Sequence, residues 1–207
     1  LARQLDAEQP FYALQAVGLN GERKPINSIS DMAATYIKAI QTVQPQGPYQ
    51  LGAWSFGGTV AFEMAQQLNS LGHEVATLVL IDSFNPIVRG KPKPDEARLV
   101  SDFATNLSRL SDKELPIWAD ELGQLGLDEK LNYILNEAKK LQILPSETGI
   151  EQMQQLFAVF GANVLAQHSY VPLRYSGEII LFYAEEKSEQ LAEKQIQFWS
   201  SLAAGGI

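Results

Sequence analysis

A serine that is to act as a nucleophile needs a backbone that exposes its hydroxyl and a donor for the oxyanion it creates. It also needs a base, and an acid to orient that base. The run Leu51-Gly52-Ala53-Trp54-Ser55-Phe56-Gly57-Gly58 offers the first two. It reads A-x-S-x-G, a variant of the G-x-S-x-G pattern in which a tight strand-to-helix turn lifts a strained serine above a sheet. Residues two before and two after the serine must be small where the chain crosses itself, and Ala53 and Gly57 are small. The Phe56 amide would open the following helix, where the helix dipole and a free N–H stabilise developing negative charge. The alternative is a serine in an ordinary glycine-rich turn, and the flanking strand and helix patterns weigh against it.

For the acid, Asp82 closes Leu78-Val79-Leu80-Ile81-Asp82, one βα unit after Ser55, at the sheet edge where open α/β folds place their sites. A turn or capping aspartate beside Ser83 is the competing reading. Two histidines are present. His73 follows Leu71-Gly72 at the tail of the helix that Ser55 opens, so it belongs on the opposite side of the sheet. His168 lies in Gln167-His168-Ser169-Tyr170 and reaches the site only if the preceding segment folds back; otherwise it is a surface or lid residue. The base is therefore expected outside the chain, beyond Ile207. Trp54, Glu63 and Met64 read as packing beneath the turn, and Glu185-Glu186 as a solvated face. Two isolated histidines make no metal site, and there is neither a phosphate-binding loop nor a dinucleotide fingerprint.

The elements that must hold these groups follow from apolar periodicity. Strands are expected over residues 12–17, 49–54, 75–81 and 178–184. A capping box at residues 28–31 starts a helix with Met32, Tyr36, Ile37, Ile40 and Val43 on one face. A second helix carries Val60, Ala61, Met64, Ala65, Leu68 and Leu71 and stops at Gly72. Beyond Pro86 the βα rhythm breaks, with Pro92 and Pro94 punctuating a linker. Three helices are expected before the next strand, around Leu99, Phe103 and Leu107, then Leu131, Ile134 and Leu135, then Met153 to Val164 after a capping box at 148–151. A last helix carries Leu191, Ile196, Phe198, Trp199 and Leu202, and Gly205-Gly206-Ile207 opens a further strand. Leu1 to Leu5 read as helix already under way.

The fold class expected is α/β with a mostly parallel sheet, flanking helices and a helical lid insertion. One incomplete domain is read over residues 1–207, with its core at 1–86 and 170–207 and the insertion at about 87–169. The chain is read as truncated at both ends. Its 207 residues are 45% hydrophobic, and 16 basic against 24 acidic side chains leave a net charge of −8. That balance, without any basic run, lacks the cations that nucleic acid or anionic membrane would require. Apolar runs such as residues 78–81 are strand-sized, far from the ~20 residues of a membrane helix. The absence of cysteine fits a reducing compartment, with cytoplasm the default.

With the serine turn and the acid in hand, the chain resembles the terminal thioesterase domain of nonribosomal peptide and polyketide synthases, in the α/β-hydrolase superfamily. The likeness rests on Phe11-Tyr12-Ala13-Leu14-Gln15, on Gly47-Pro48-Tyr49-Gln50 running into the Ser55 turn, on Ala61-Phe62-Glu63-Met64-Ala65, and on the strand ending at Asp82. Ala53 stands where that family usually has glycine. The resemblance implies that Ser55 is acylated by a chain carried on the phosphopantetheine arm of a carrier protein in the same polypeptide, and that Asp82 is the triad acid. It implies no bound cofactor, and a catalytic histidine on a loop after the strand opening at Gly205. The fragment alone would then be nearly inactive. Water would release a free acid and an internal nucleophile a macrocycle, with the lid choosing by excluding solvent. Competing readings are a stand-alone editing thioesterase, an esterase of the same fold, and a non-catalytic module that docks carrier proteins.

Overall fold

The computed structural model describes residues 4, 8–83, 92–109, 111, 113–115, 125–184 and 189–207. The expectations for Pro86, for Glu185-Glu186 and for Leu1 to Leu5, apart from Gln4, lie outside them. Two apolar runs form adjacent parallel strands, β1 (Tyr49–Trp54) and β2 (Val75–Ile81), and a short β3 (Ile180–Phe182) joins the other edge of β2. Trp54 stands opposite Ile81, and Ile81 opposite Phe182, so the three carboxyl ends are level.

Helix α1 (Ile29–Gln41) starts where the Ser28 hydroxyl accepts the Asp31 amide at 3.2 Å. Helix α2 (Phe56–Ser70) ends at Leu71, with Gly72 at φ +82°, the left-handed stop a glycine supplies most cheaply. Both lie on one face of the sheet. Ile29, Met32 and Ile37 of α1 close on Met64 and Leu68 of α2 and on Tyr49. Ala61, Phe62 and Ala65, on another side of α2, meet Leu78, Leu80, Ile179 and Trp199, the last from the final helix α6 (Glu189–Leu202).

Between β2 and β3 stand α3 (Glu96–Arg109), α4 (Leu127–Lys140) and α5 (Ile150–Ser169), which close around their own apolar cluster of Phe103, Leu107, Leu131, Ile134 and Met153. Helix α5 belongs to both bodies. Phe157 and Phe160 pack against Phe103, whereas Ala166, near its other end, is buried with α1 and α2.

Five expectations change. Val43, expected on the apolar face of the first helix, lies beyond its end and is exposed. Residues 10–16 form no regular strand and 17–20 turn; Phe11, Tyr12 and Leu14 are exposed. A strand needs a neighbour to take its N–H and C=O groups, and the described residues supply none there. The strand expected over 178–184 contracts to Ile180–Phe182, the stretch that pairs with Val79 to Ile81. Helix α5 is capped at Gly149, whose amide donates to the Gln152 side chain at 2.9 Å, and Thr148 is buried instead. The strand expected at Gly205 is present as a single parallel bridge, Tyr175 to Ala203. It is extended by hydrogen bonds from Gly205 N–H to Gly177 and from Ile179 N–H to Gly206.

Trp199 is fully buried between Phe62 and Phe198, and its Nε1–H donates to the Ser83 carbonyl at 2.8 Å. Trp199→Phe keeps a ring there but leaves that carbonyl unpaired, so we expect a loss of about 1–3 kcal/mol. It should be read as a lower urea midpoint at unchanged m-value; an unmoved midpoint would remove this bond from the stability of the fold.

Candidate active site

Ser55 occupies the single residue between β1 and α2, at φ +54° and ψ −125°. For a residue with a Cβ this region costs on the order of 1–3 kcal/mol, and it persists only where the surroundings enforce it. Two hydrogen bonds do so: the Ser55 amide donates to the Ile81 carbonyl at 2.8 Å, and its carbonyl accepts the Gly58 amide at 3.0 Å. The hydroxyl does not cap α2. Phe56 opens the helix, so its amide has no carbonyl one turn back to bond with. Its ring packs against the α1–α2 cluster.

Asp82 also has positive φ, +48°, and its amide continues the ladder to the Phe182 carbonyl at 2.8 Å. Its carboxylate Oδ1 accepts the Ala184 amide at 2.9 Å, which ties the acid to the chain leaving β3. Because Trp54 and Ile81 are in register, Ser55 and Asp82 leave neighbouring strands, about 4.8 Å apart, at the same level. The structure thus brings together Ser55, the Phe56 amide and Asp82.

It does not bring either histidine to them. His73 sits beyond α2, with Nε2 3.2 Å from the Gln41 side-chain nitrogen and its ring edge-on to Tyr49, at the amino end of β1. His168 lies in the last turn of α5. Two residues on, the Tyr170 hydroxyl donates to Glu63 at 2.8 Å, two turns along α2 from Ser55. Neither histidine is hydrogen-bonded to Ser55 among the described residues.

The small residues divide differently from the sequence reading. A methyl on Gly57 would meet the Ala53 methyl at 3.6 Å, an ordinary contact. A methyl on Gly58 would overlap the Ser83 side chain. Gly58 lets the first turn of α2 lie directly on the residue after Asp82, and its place in the Gly57-Gly58 pair is the signal that could have revealed it. Of the three residues read as packing beneath the turn, Met64 is buried, but Trp54 is 57% exposed. Glu63 is a polar hub, accepting from Tyr170, from Gln67 at 2.8 Å and from Gln66 at 3.4 Å. Alternation along β1 turns Trp54 away from α2, and the helical period turns Glu63 toward Tyr170.

Residues 1–205 match the family model described as Thioesterase domain. The chain belongs to the thioesterase domain family. This thioesterase domain is 35% identical over 185 residues to the dimodular nonribosomal peptide synthase of Bacillus subtilis (strain 168). It is 30% identical over 192 residues to the polyketide synthase PksR of the same strain. Each match covers 88% of this chain, which spans only 7% of the length of either relative. In solved structures it is similar to the holo form of AB3403, a four-domain nonribosomal peptide synthetase bound to AMP and glycine. The TM-score is 0.84 at 34% identity, covering 94% of this chain and 15% of that one. A covalent complex of the NocB thioesterase domain with a fluorophosphonate nocardicin G analogue shares the fold, with a TM-score of 0.56 at 22% identity over 89% of this chain and 64% of that one. The fold is that of the α/β-hydrolases. Among the described residues no group of three or more His, Cys, Asp or Glu is placed to hold a metal ion, and no helix is long and apolar enough to cross a membrane.

Within the thioesterase domain the tight approach at Gly58 makes a direct test. Gly57→Ala should fold, gaining up to about 1 kcal/mol of helix propensity. Gly58→Ala should cost about 1–3 kcal/mol by overpacking against Ser83. Urea melts would check both, and equal behaviour of the two variants would place the constraint elsewhere.

Proposed function

We propose that this thioesterase domain releases a peptidyl or polyketidyl chain from the phosphopantetheine thioester of a carrier protein in the same polypeptide, through an acyl-enzyme on Ser55. The observation that carries the reading is Ser55 and Asp82 standing level on adjacent strands, with the Phe56 amide beside the serine. The Ser55 oxygen attacks the thioester carbonyl while a base takes its proton, and the Phe56 N–H steadies the oxyanion. The carbon–sulfur bond then breaks and the arm leaves as a thiol, taking the proton from the base. In the second half water, or a hydroxyl or amine within the chain itself, attacks the ester. The base takes the new proton and returns it to the Ser55 oxygen, giving a free acid or a macrocycle.

Asp82 orients the base and stabilises its cation. The base is a histidine other than His73 and His168, a reading supported by the placement of both away from the serine. Helices α3 to α5 form the lid, taken over about residues 87–169. The two Bacillus relatives are a nonribosomal peptide synthase and a polyketide synthase, which supports chain release over a free-standing esterase. A cytoplasmic setting accords with a chain that has no cysteine.

The test uses the full-length polypeptide and a small acyl thioester. Intact-mass spectrometry should find one acyl adduct, absent in Ser55→Ala; no adduct on folded protein would turn the reading to a non-catalytic docking module. Asp82→Asn should fold and lower release by about 10⁴, as loss of a triad acid does, whereas unchanged turnover would exclude Asp82 as the acid.

A further inference from the structure

Most of α2 is committed to apolar packing. Phe62 and Met64 are buried on either side of Glu63. The Glu63 carboxylate is only half-buried, yet it gathers three donors: the Tyr170 hydroxyl and the side-chain amides of Gln66 and Gln67. Gln67 also donates to the Ser30 carbonyl and hydroxyl of α1, each at 3.1 Å. Gln66 reaches the Tyr170 hydroxyl as well, at 3.3 Å. One carboxylate therefore joins α1, α2 and the residue that caps α5. A partly buried polar cluster of this kind gives little net stability for its desolvation, but it admits only one arrangement of the elements it joins.

What it joins matters for the reaction. Helix α5 is shared between the cluster of α3 to α5 and the core around α1 and α2. Its far end meets the loop before α1, where the Gln155 amide occupies the space a side chain on Gly21 would need. Tyr170 caps the near end. Burial first, then the neighbouring Glu63 charge, hold the Tyr170 hydroxyl well above its ordinary pKa, so it remains a donor throughout the working range.

We infer that Glu63 is a positioning residue: by fixing Tyr170 against the nucleophile helix it sets where the α3–α5 body stands relative to Ser55. It stands two turns along α2 from Ser55 and acts through Tyr170. Its effect falls on chains long enough to meet that body, and a two-carbon acyl group is too short to report it. This rests on the proposal that Ser55 is the acylated residue.

The experiment measures kcat and KM in the full-length polypeptide with octanoyl and acetyl thioesters of N-acetylcysteamine. For Tyr170→Phe and for Glu63→Ala, the ratio of kcat/KM for octanoyl to that for acetyl should fall about tenfold, a loss on the scale of slight misplacement. The double variant should fall no further than Glu63→Ala alone, because the Tyr170 hydroxyl acts through the carboxylate that this change removes. Glu63→Gln keeps an oxygen for Tyr170 and should restore most of the ratio. Should Glu63→Ala not fold, Tyr170→Phe and Glu63→Gln decide the matter. An unchanged ratio, or additive effects in the double variant, would overturn the inference while leaving acylation of Ser55 intact. If the unmodified protein forms no adduct on Ser55, the proposed function falls, and this inference with it.

Discussion

The hydrogen bond from the Ser55 amide to the Ile81 carbonyl is the last rung between β1 and β2, and it falls on the residue where the chain must stop being strand. It holds Ser55 in a conformation that a side chain resists, and it does so from the strand that ends in Asp82. A slip of one residue in this register would turn every side chain of the strand to the other face and separate the serine from the acid. The apolar packing of α2 against β1 and β2 fixes that register.

A second constraint lies behind it. Ser83 is gripped from both sides, by the first turn of α2 through the bare Cα of Gly58 and by the Trp199 indole through its carbonyl. Helices α2 and α6, far apart in sequence, therefore set the position of the residue next to Asp82. The acid is held in turn by the Ala184 amide after β3. The carboxyl edge of the sheet at Ser55 and Asp82 is thus over-determined by three strands and two helices. That is the condition for keeping two residues at positive φ.

The helices between β2 and β3 obey a different logic. They bury their apolar faces against one another, so they make a body with its own core, and α5 carries that body to α1 and α2. Apolar contacts tolerate small rotations, whereas the hydrogen bonds on Glu63 are directional. A polar hub at the end of the shared helix adds orientation where packing alone would leave it loose.

By itself the sequence determined the parallel βα units around Ser55 and Asp82, the helices α3, α4 and α5 and the family. Each of these is written in local periodicity, capping residues and a short motif whose strand-to-helix context is contiguous in the chain. The strand expected at 12–17 was not decided there, because a strand exists only by virtue of its neighbour. Nor were the roles of Ser83 and Glu63 legible, and the Gly57-Gly58 pair alone did not show which residue Gly58 meets. Gly58 is small because of a residue 25 positions away, and Glu63 is polar because of one 107 positions away. Only the tertiary structure brings such pairs together: close approach and hydrogen bonding depend on distance in space, which no pattern along the chain records.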